Sequence, residues 1–243
     1  MIYSIVGMPQ SGSTLLFNII SKILEVHGVN HNTCLYGPKS YNKVLCHADL
    51  KDRSRDSLYL VKEHHFEREL AQMTELFFIS RRDIRDSIAS RRRRGKGLFS
   101  KGKRARGLHQ YDETKDPEIA LSNWCSYLVK DCYLDWLEFI DLHHKDSSCF
   151  IFDYDNFNKD YESKCRAISS ISLIMEKKLS QLEIERIIDE TSVKSLLSSN
   201  IAQNKNFFSI DKITNVKNTK SYRDDLSEKE IGYIMQHYSN FIK

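Results

Sequence analysis

Ile2-Tyr3-Ser4-Ile5-Val6-Gly7-Met8-Pro9-Gln10-Ser11-Gly12-Ser13-Thr14-Leu15-Leu16 is the stretch that decides the fold of this 243-residue chain. A short apolar run of strand type ends at Gly7 and gives way to a turn of small residues. An apolar-periodic helix then runs from about Ser13 to Val26. Gly7 and Gly12 have the G-x-x-x-x-G spacing of a Walker A loop, and Thr14 stands where that motif has its Ser or Thr. Such a loop aims backbone N–H groups and a helix N-terminus at phosphate oxygens. The lysine position is Ser13. Without the lysine that reaches the β- and γ-phosphates, the pattern argues against ordinary ATP or GTP hydrolysis. It predicts a phosphorylated ligand used for other chemistry.

Outward from this stretch, three more apolar runs read as strands of a buried parallel sheet: Leu58-Tyr59-Leu60-Val61, Leu76-Phe77-Phe78-Ile79 and Cys149-Phe150-Ile151-Phe152. Helical patterns fall near 65–74, 83–94, 117–142, 159–174 and 180–197. Asp116-Pro117 is a good start for the long one. Ser227 and Glu230 form a capping box that opens a final helix. Strands separated by helices predict an α/β three-layer sandwich, P-loop-like, with a central, mainly parallel sheet flanked by helices. No repeat or linker interrupts it, so residues 1–243 read as a single domain. Gly95 to Gln110 lacks apolar periodicity and reads as a surface loop.

Apolar content of 40% and charged content of 29% fit a soluble globular protein. No run reaches the roughly 18 apolar residues that span a bilayer. The first residues lack the basic flank and unbroken apolar core of a signal peptide. Cysteines 34, 46, 125, 132, 149 and 165 form no C-x-x-C pair, which argues against a zinc site and for reduced thiols in a cytoplasmic setting. Charge is unevenly spread. From Arg81 to Arg106 there are twelve Lys/Arg against two Asp, a local +10 in a chain of net +4, so the remainder carries −6. That focus points to a local anionic partner rather than a basic surface overall.

A second strand-to-helix turn is Phe77-Phe78-Ile79-Ser80-Arg81-Arg82-Asp83-Ile84-Arg85-Asp86-Ser87-Ile88-Ala89-Ser90. Asp86 and Ser90 share a helix face, so an Arg at the start and a hydroxyl deeper in can converge on one phosphate. Together with the first loop, this resembles the sulfotransferases that use 3′-phosphoadenosine 5′-phosphosulfate (PAPS) and release adenosine 3′,5′-bisphosphate (PAP). Pro9-Gln10-Ser11-Gly12-Ser13-Thr14 is similar to the family's P-K/R-S-G-T/S-T loop, and Arg82 to Ser90 to its R-x-P-x-D-x-x-x-S, with Ile84 in place of Pro. The resemblance implies that Gln10, Ser11, Gly12, Ser13 and Thr14 hold the 5′-phosphosulfate, and that Arg82 and Ser90 grip the 3′-phosphate.

Leu60-Val61-Lys62-Glu63-His64 resembles the strand end K-T-H of the cytosolic members. That likeness makes His64 the general base and Lys62 an electrostatic stabiliser of the transferring group. A neutral imidazole suits removal of the acceptor proton near pH 7. His65 is a rival, but neighbours on a strand face opposite ways, so only one points at the ligand. Tyr154, in Phe152-Asp153-Tyr154-Asp155, looks like the family's strand-end Tyr near the adenine. Lys217, Lys220 and Arg223 look like candidates from its late basic loop, with Tyr222 in place of Trp. Two departures bear on chemistry: Gln10 replaces a Lys or Arg, and Leu15 replaces a Trp that stacks on adenine.

The resemblance implies sulfuryl transfer from PAPS to a hydroxyl or amine of a small-molecule or glycan acceptor, with no metal required. Two alternatives stay open: a catalytically weakened nucleotide- or nucleic-acid-binding protein, and a P-loop nucleotide phosphotransferase. The basic segment 91–106 reads first as a lid or steering element for a charged nucleotide, next as a site for an anionic acceptor. Nucleic acid comes last, because only Phe99 interleaves the cations.

Overall fold

Strand β1 (Ile2–Gly7) is buried at every position, and its alternating side chains feed two separate cores. Ile2 and Val6 face one side with Met8; Tyr3 and Ile5 face the other. A strand apolar on both faces must lie inside a sheet covered by helices on both sides. The computed structural model describes residues 1–36, 44–45, 57–99, 117–144, 148–192, 195 and 221–242. Within them, β1 joins β2 (His31–Tyr36), β3 (Val44–Leu45), β4 (Leu58–Lys62), β5 (Leu76–Arg81) and β6 (Cys149–Asp153). The sheet has six strands, all parallel, in the order β3-β2-β4-β1-β5-β6. The α/β three-layer architecture expected from the sequence is the observed one.

One face is covered by α1 (Ser13–Val26), α7 (Tyr161–Ile174) and α8 (Gln181–Glu190). Leu16, Ile19, Ile20 and Ile23 of α1 are fully buried there, at the spacing of one helix stripe. Each such side chain contributes about 1.5–3 kcal/mol by leaving water. The opposite face is covered by α3 (Ile84–Phe99), by α9 (Glu228–His237), and by a helical run of three parts. That run is α4 (Pro117–Ser126), a π-helical segment (Tyr127–Leu134) and α5 (Asp135–His143). Trp136 is its anchor, fully buried and in edge contact with Phe66 at 5.1 Å. The short helices α2 (Arg68–Met73) and α6 (Tyr154–Phe157) follow β4 and β6.

Several boundaries differ from the sequence reading. Neither β2 nor β3 carries an apolar run of four residues; β2 exists because it pairs with β4 from His31↔Leu58 to Leu35↔Lys62. Helix α3 continues through Phe99, so Gly95 to Phe99 is helical rather than loop. Two glycines there, Gly95 and Gly97, cost about 1 kcal/mol each against Ala, but Lys96 between them and the arginines before them are good helix formers. Residues 100–110 of that expected loop lie outside the described residues. α8 ends at Glu190, where the Thr191 hydroxyl bonds back to the Ile187 carbonyl at 2.7 Å and closes the last turn; of the helix expected to run to about 197, residues 193, 194, 196 and 197 lie outside the described residues. The final helix has the expected capping box of Ser227 and Glu230. Among the described residues, no helix is long and apolar enough to cross a membrane.

Candidate active site

Strand order reverses at β1: α1 leads away to one side of the sheet, and β5 lies on the other. In open α/β sheets the crevice beyond the carboxyl ends of the strands at such a point is where ligands bind. The three sequence motifs end β1, β4 and β5, which are adjacent, so the topology brings them together.

The β1 loop is shaped by backbone. Gly7 has φ of 110°, and a Cβ there would lie 2.2 Å from the Ser80 carbonyl oxygen. Only glycine fits, and the Met8 N–H then donates to that same carbonyl at 3.1 Å. Ser11 is fully buried; its hydroxyl lies against the Met8 carbonyl and 2.7 Å from Ser80 Oγ, which donates to the Val6 carbonyl at 3.1 Å. The Ser11 side chain thus ties the loop to β5 and points inward. Gln10 holds a left-handed φ of 65°, uncommon for a non-glycine residue. Gly12, with φ of 84°, starts α1, and a Cβ on it would meet the Tyr154 ring at 2.1 Å.

Helix α1 begins with no side-chain cap and no acidic residue in its first turn. By contrast, α8 and α9 each begin with a complete capping box. Ser13 and Thr14 therefore sit at an N-terminus whose donors and partial positive charge are directed to the crevice. Ser13 itself is buried.

From the end of β4, Lys62 reaches across to this turn. Its stem is buried, and Nζ donates to Thr14 Oγ1 at 2.8 Å. A cation thus reaches the loop from the neighbouring strand, although Gln10 and Ser13 are uncharged. His64 Nδ1 lies 2.8 Å from the Gly7 carbonyl oxygen. A carbonyl can only accept, so the proton is on Nδ1 and the neutral ring keeps its lone pair on Nε2. That is the form a general base needs. His65 turns the other way, exposed and stacked on Tyr127 of the π-helical segment at 6.1 Å.

Between Lys62 and His64, Glu63 carries no family motif. Its Oε1 accepts from the N–H of His64 at 2.7 Å and of His65 at 3.0 Å. Burial pushes its carboxyl up to about 7; the two N–H groups and Lys62 pull the other way, and Glu67 adds to the rise. The only sequence signal for it was an acidic residue inside a strand-end K-x-H.

At the end of β5, the Arg82 guanidinium lies over the Tyr154 ring at 4.8 Å, and Nε donates to Asp155 Oδ1 at 3.3 Å. Asp155 also accepts from the Asp83 N–H at 2.9 Å, which fixes the turn. Asp86 is 3.8 Å from Arg82, and burial raises its carboxyl despite that cation. Ser90 Oγ stands 3.5 Å from Gln10 Oε1, a contact that ties α3 to the β1 loop. Gln10, Ser90, Gly12, Tyr154 and Arg82 thus form one connected surface. A cavity of about 170 Å³ beside it is lined by Met8, Arg81, Arg82, Asn240, Phe241 and Ile242.

The chain's C-terminal part docks on α3. Arg85, paired with Asp83 at 2.6 Å, has Tyr222 stacked on it at 4.3 Å. Arg92 donates to the Asp225 carbonyl at 2.7 Å and pairs with Glu230, and Arg93 pairs with Asp225. Arg223 lies over the outer side of Tyr222 at 5.5 Å, with Glu228 at 3.7 Å, and is largely exposed. Lys217 and Lys220 lie outside the described residues. Among the described residues, no group of three His, Cys, Asp or Glu is arranged to hold a metal.

No protein-family model matches the chain. No curated protein matches it by sequence. Solved structures do. Mouse sulfotransferase SULT7A1 complexed with PAP superposes with a TM-score of 0.64 over 99% of this chain and 82% of its own, at 12% identity. Retinol dehydratase with androsterone and the inactive cofactor PAP gives 0.60, over 100% and 80%, at 12% identity. Retinol dehydratase with retinol and PAP gives 0.60, over 100% and 81%, again at 12%. At such identity the likeness establishes the fold: this chain has the α/β fold of PAP-bound sulfotransferase structures.

Proposed function

We propose that this chain is a PAPS-dependent sulfotransferase acting on a hydroxyl or amine of a small-molecule or glycan acceptor. One observation carries the reading. An uncapped helix N-terminus, a lysine bonded to its first turn, and a histidine held with Nε2 as acceptor meet at the carboxyl ends of adjacent strands. The donor set fits a nucleotide phosphorylated at both ends. The N–H groups of Gly12, Ser13 and Thr14, the Thr14 hydroxyl and Lys62 would hold the 5′-phosphosulfate; Arg82 and Ser90, with Tyr154 beneath Arg82, would hold the 3′-phosphate and adjoining nucleoside. Of the late basic loop, Lys217, Lys220 and Arg223 remain candidates for closing over that phosphate.

When bound, PAPS supplies a sulfuryl group already joined to a good phosphate leaving group. His64 Nε2 takes the acceptor's proton as the acceptor oxygen or nitrogen bonds to sulfur. Lys62 and the α1 N-terminus would meet the negative charge left on the 5′-phosphate oxygen when its bond to sulfur breaks and both electrons stay on that oxygen. Those fixed charges stabilise it as it develops. PAP and the sulfated acceptor result. Gln10 contributes a hydrogen bond but no charge, which favours slow turnover, or binding without reaction, as the second reading. The described cysteines are free thiols, which fits a reducing, cytoplasmic setting.

Calorimetry with PAP, ATP and a short duplex DNA tests the reading: tight binding of PAP alone is expected, and equal binding of ATP would defeat it. His64→Ala should keep PAP affinity and lose about 10²–10⁴-fold in transfer. Retained transfer would remove His64 from the role.

A further inference from the structure

The general base depends on a turn, residues 63–66, that is held by four tethers of unlike kind. The Glu63 N–H continues the ladder to the Ile5 carbonyl at 3.1 Å. The next two N–H groups, of His64 and His65, converge on the Glu63 carboxyl. The His64 carbonyl accepts from Trp136 Nε1 at 3.1 Å, and the Phe66 N–H donates to the Asp131 carbonyl at 2.9 Å. The last two partners come from the π-helical segment and the first turn of α5. The Asp131 carbonyl that accepts from Phe66 belongs to the π-helical segment, a kind of turn often found at functional sites. His64 can direct Nδ1 to Gly7 only while its own backbone is fixed in this way.

We infer that Glu63 is a positioning residue for His64, its carboxyl acting as the hub that sets the direction of the turn and so the tautomer of the imidazole. The inference rests on the sulfotransferase reading for its catalytic consequence, not for its geometry. A carboxyl is suited to the task because one of its oxygens can accept two converging N–H groups. Around it stand Lys62 on β4, Glu67 just beyond the turn and Cys132 of the π-helical segment, together with His64 and His65. Burial raises both the Glu63 carboxyl and the Cys132 thiol, so the pocket is desolvated from both elements.

The test uses the full chain carrying Glu63→Ala or Glu63→Gln. Long-range ¹H–¹⁵N spectra of the imidazoles report the His64 tautomer. The wild type and Glu63→Gln, whose amide oxygen still accepts, are expected to hold the proton on Nδ1; Glu63→Ala is expected to give a mixture. Hydrogen exchange at the His64 and His65 amides should quicken about tenfold in Glu63→Ala, the loss of one hydrogen bond each. Sulfuryl transfer should show kcat down by about tenfold with KM for PAPS unchanged, and Gln should restore it. An unaltered tautomer and exchange in Glu63→Ala, or a Glu63→Gln variant that behaves like Ala, would overturn the inference. Should Glu63→Ala not fold, Glu63→Asp, one methylene too short for both N–H groups, is expected to show the same mixture; a wild-type spectrum there would overturn it too. Wild-type protein that binds no PAP would sink the sulfotransferase reading and leave the tautomer result standing.

Discussion

Helices α1 and α9 both begin after a turn, and they solve the same problem in opposite ways. At α9 the orphan N–H groups are met locally: Ser227 Oγ accepts from the Glu230 N–H at 3.3 Å, and Glu230 reaches back to the Ser227 N–H at 2.8 Å. At α1 no side chain caps the helix. Its turn is instead held from outside, by Ser80 through Met8 and Ser11, by the Tyr154 ring on Gly12, and by Lys62 on Thr14. A helix start that caps itself has fewer donors to give a ligand, and its capping carboxylate repels an anion. One built from remote contacts keeps its shape and keeps its donors.

The strongest way to break this contrast is Gly7→Ala. Adding a Cβ against the Ser80 backbone at a left-handed φ should cost about 3 kcal/mol or more, seen as a lowered midpoint in urea unfolding. A midpoint within error of wild type would mean that the loop is not held by β5. Next comes Thr14→Asp, which gives α1 an acidic first turn and offers Lys62 a partner. PAP affinity in calorimetry should fall about a hundredfold, roughly 2.7 kcal/mol, while stability holds or rises by a few tenths of a kcal/mol. Undiminished binding would show that the phosphates do not sit at this helix start.

Smaller effects are expected at α9. Ser227→Ala should lose about 1 kcal/mol of stability and leave PAP binding unchanged. A binding defect there would join the two helix starts functionally and weaken the distinction. The smallest effect is in acid. Burial works against the Glu230 carboxylate, but the hydrogen bonds from Arg92 and Ser227 outweigh it and hold its pKa down to about 2. Its folded value lies below the unfolded one, so its contribution is present above about pH 4.5 and is lost as pH falls toward 2. Solvent screening keeps that contribution to roughly 1 kcal/mol or less. Unfolding midpoints of the wild type and Glu230→Gln should therefore converge below pH 3; a constant gap would contradict the assignment.

Much of this was legible in the sequence because the informative residues are local. The β1 loop and the Arg82–Ser90 turn each join a strand to a helix within a few residues, so composition and spacing describe them. The α9 capping box is legible for the same reason. His31–Tyr36 is not: its polar residues become β2 only because β4 offers them a register. Nor could spacing show that Ser11 turns its hydroxyl inward to Ser80, or that Lys62 crosses to Thr14, since both depend on which strands are neighbours. Glu63 was hidden for a further reason. Its role depends on two backbone N–H groups converging on one oxygen, a property of chain direction rather than residue type.

The position of β1 at the heart of the sheet also sets a timetable for the ribosome. β1 is made before β4 and β5, the two strands that must flank it, so Ile2 waits for Tyr59 and Tyr3 waits for Leu76. Until then a six-residue segment destined for full burial has no partner within the chain. Synthesis at about 5–20 residues per second leaves it waiting for several seconds. The nascent chain thus relies on whatever shelters β1, and a pause in translation before β4 would lengthen the exposure of the segment that later carries the ligand loop.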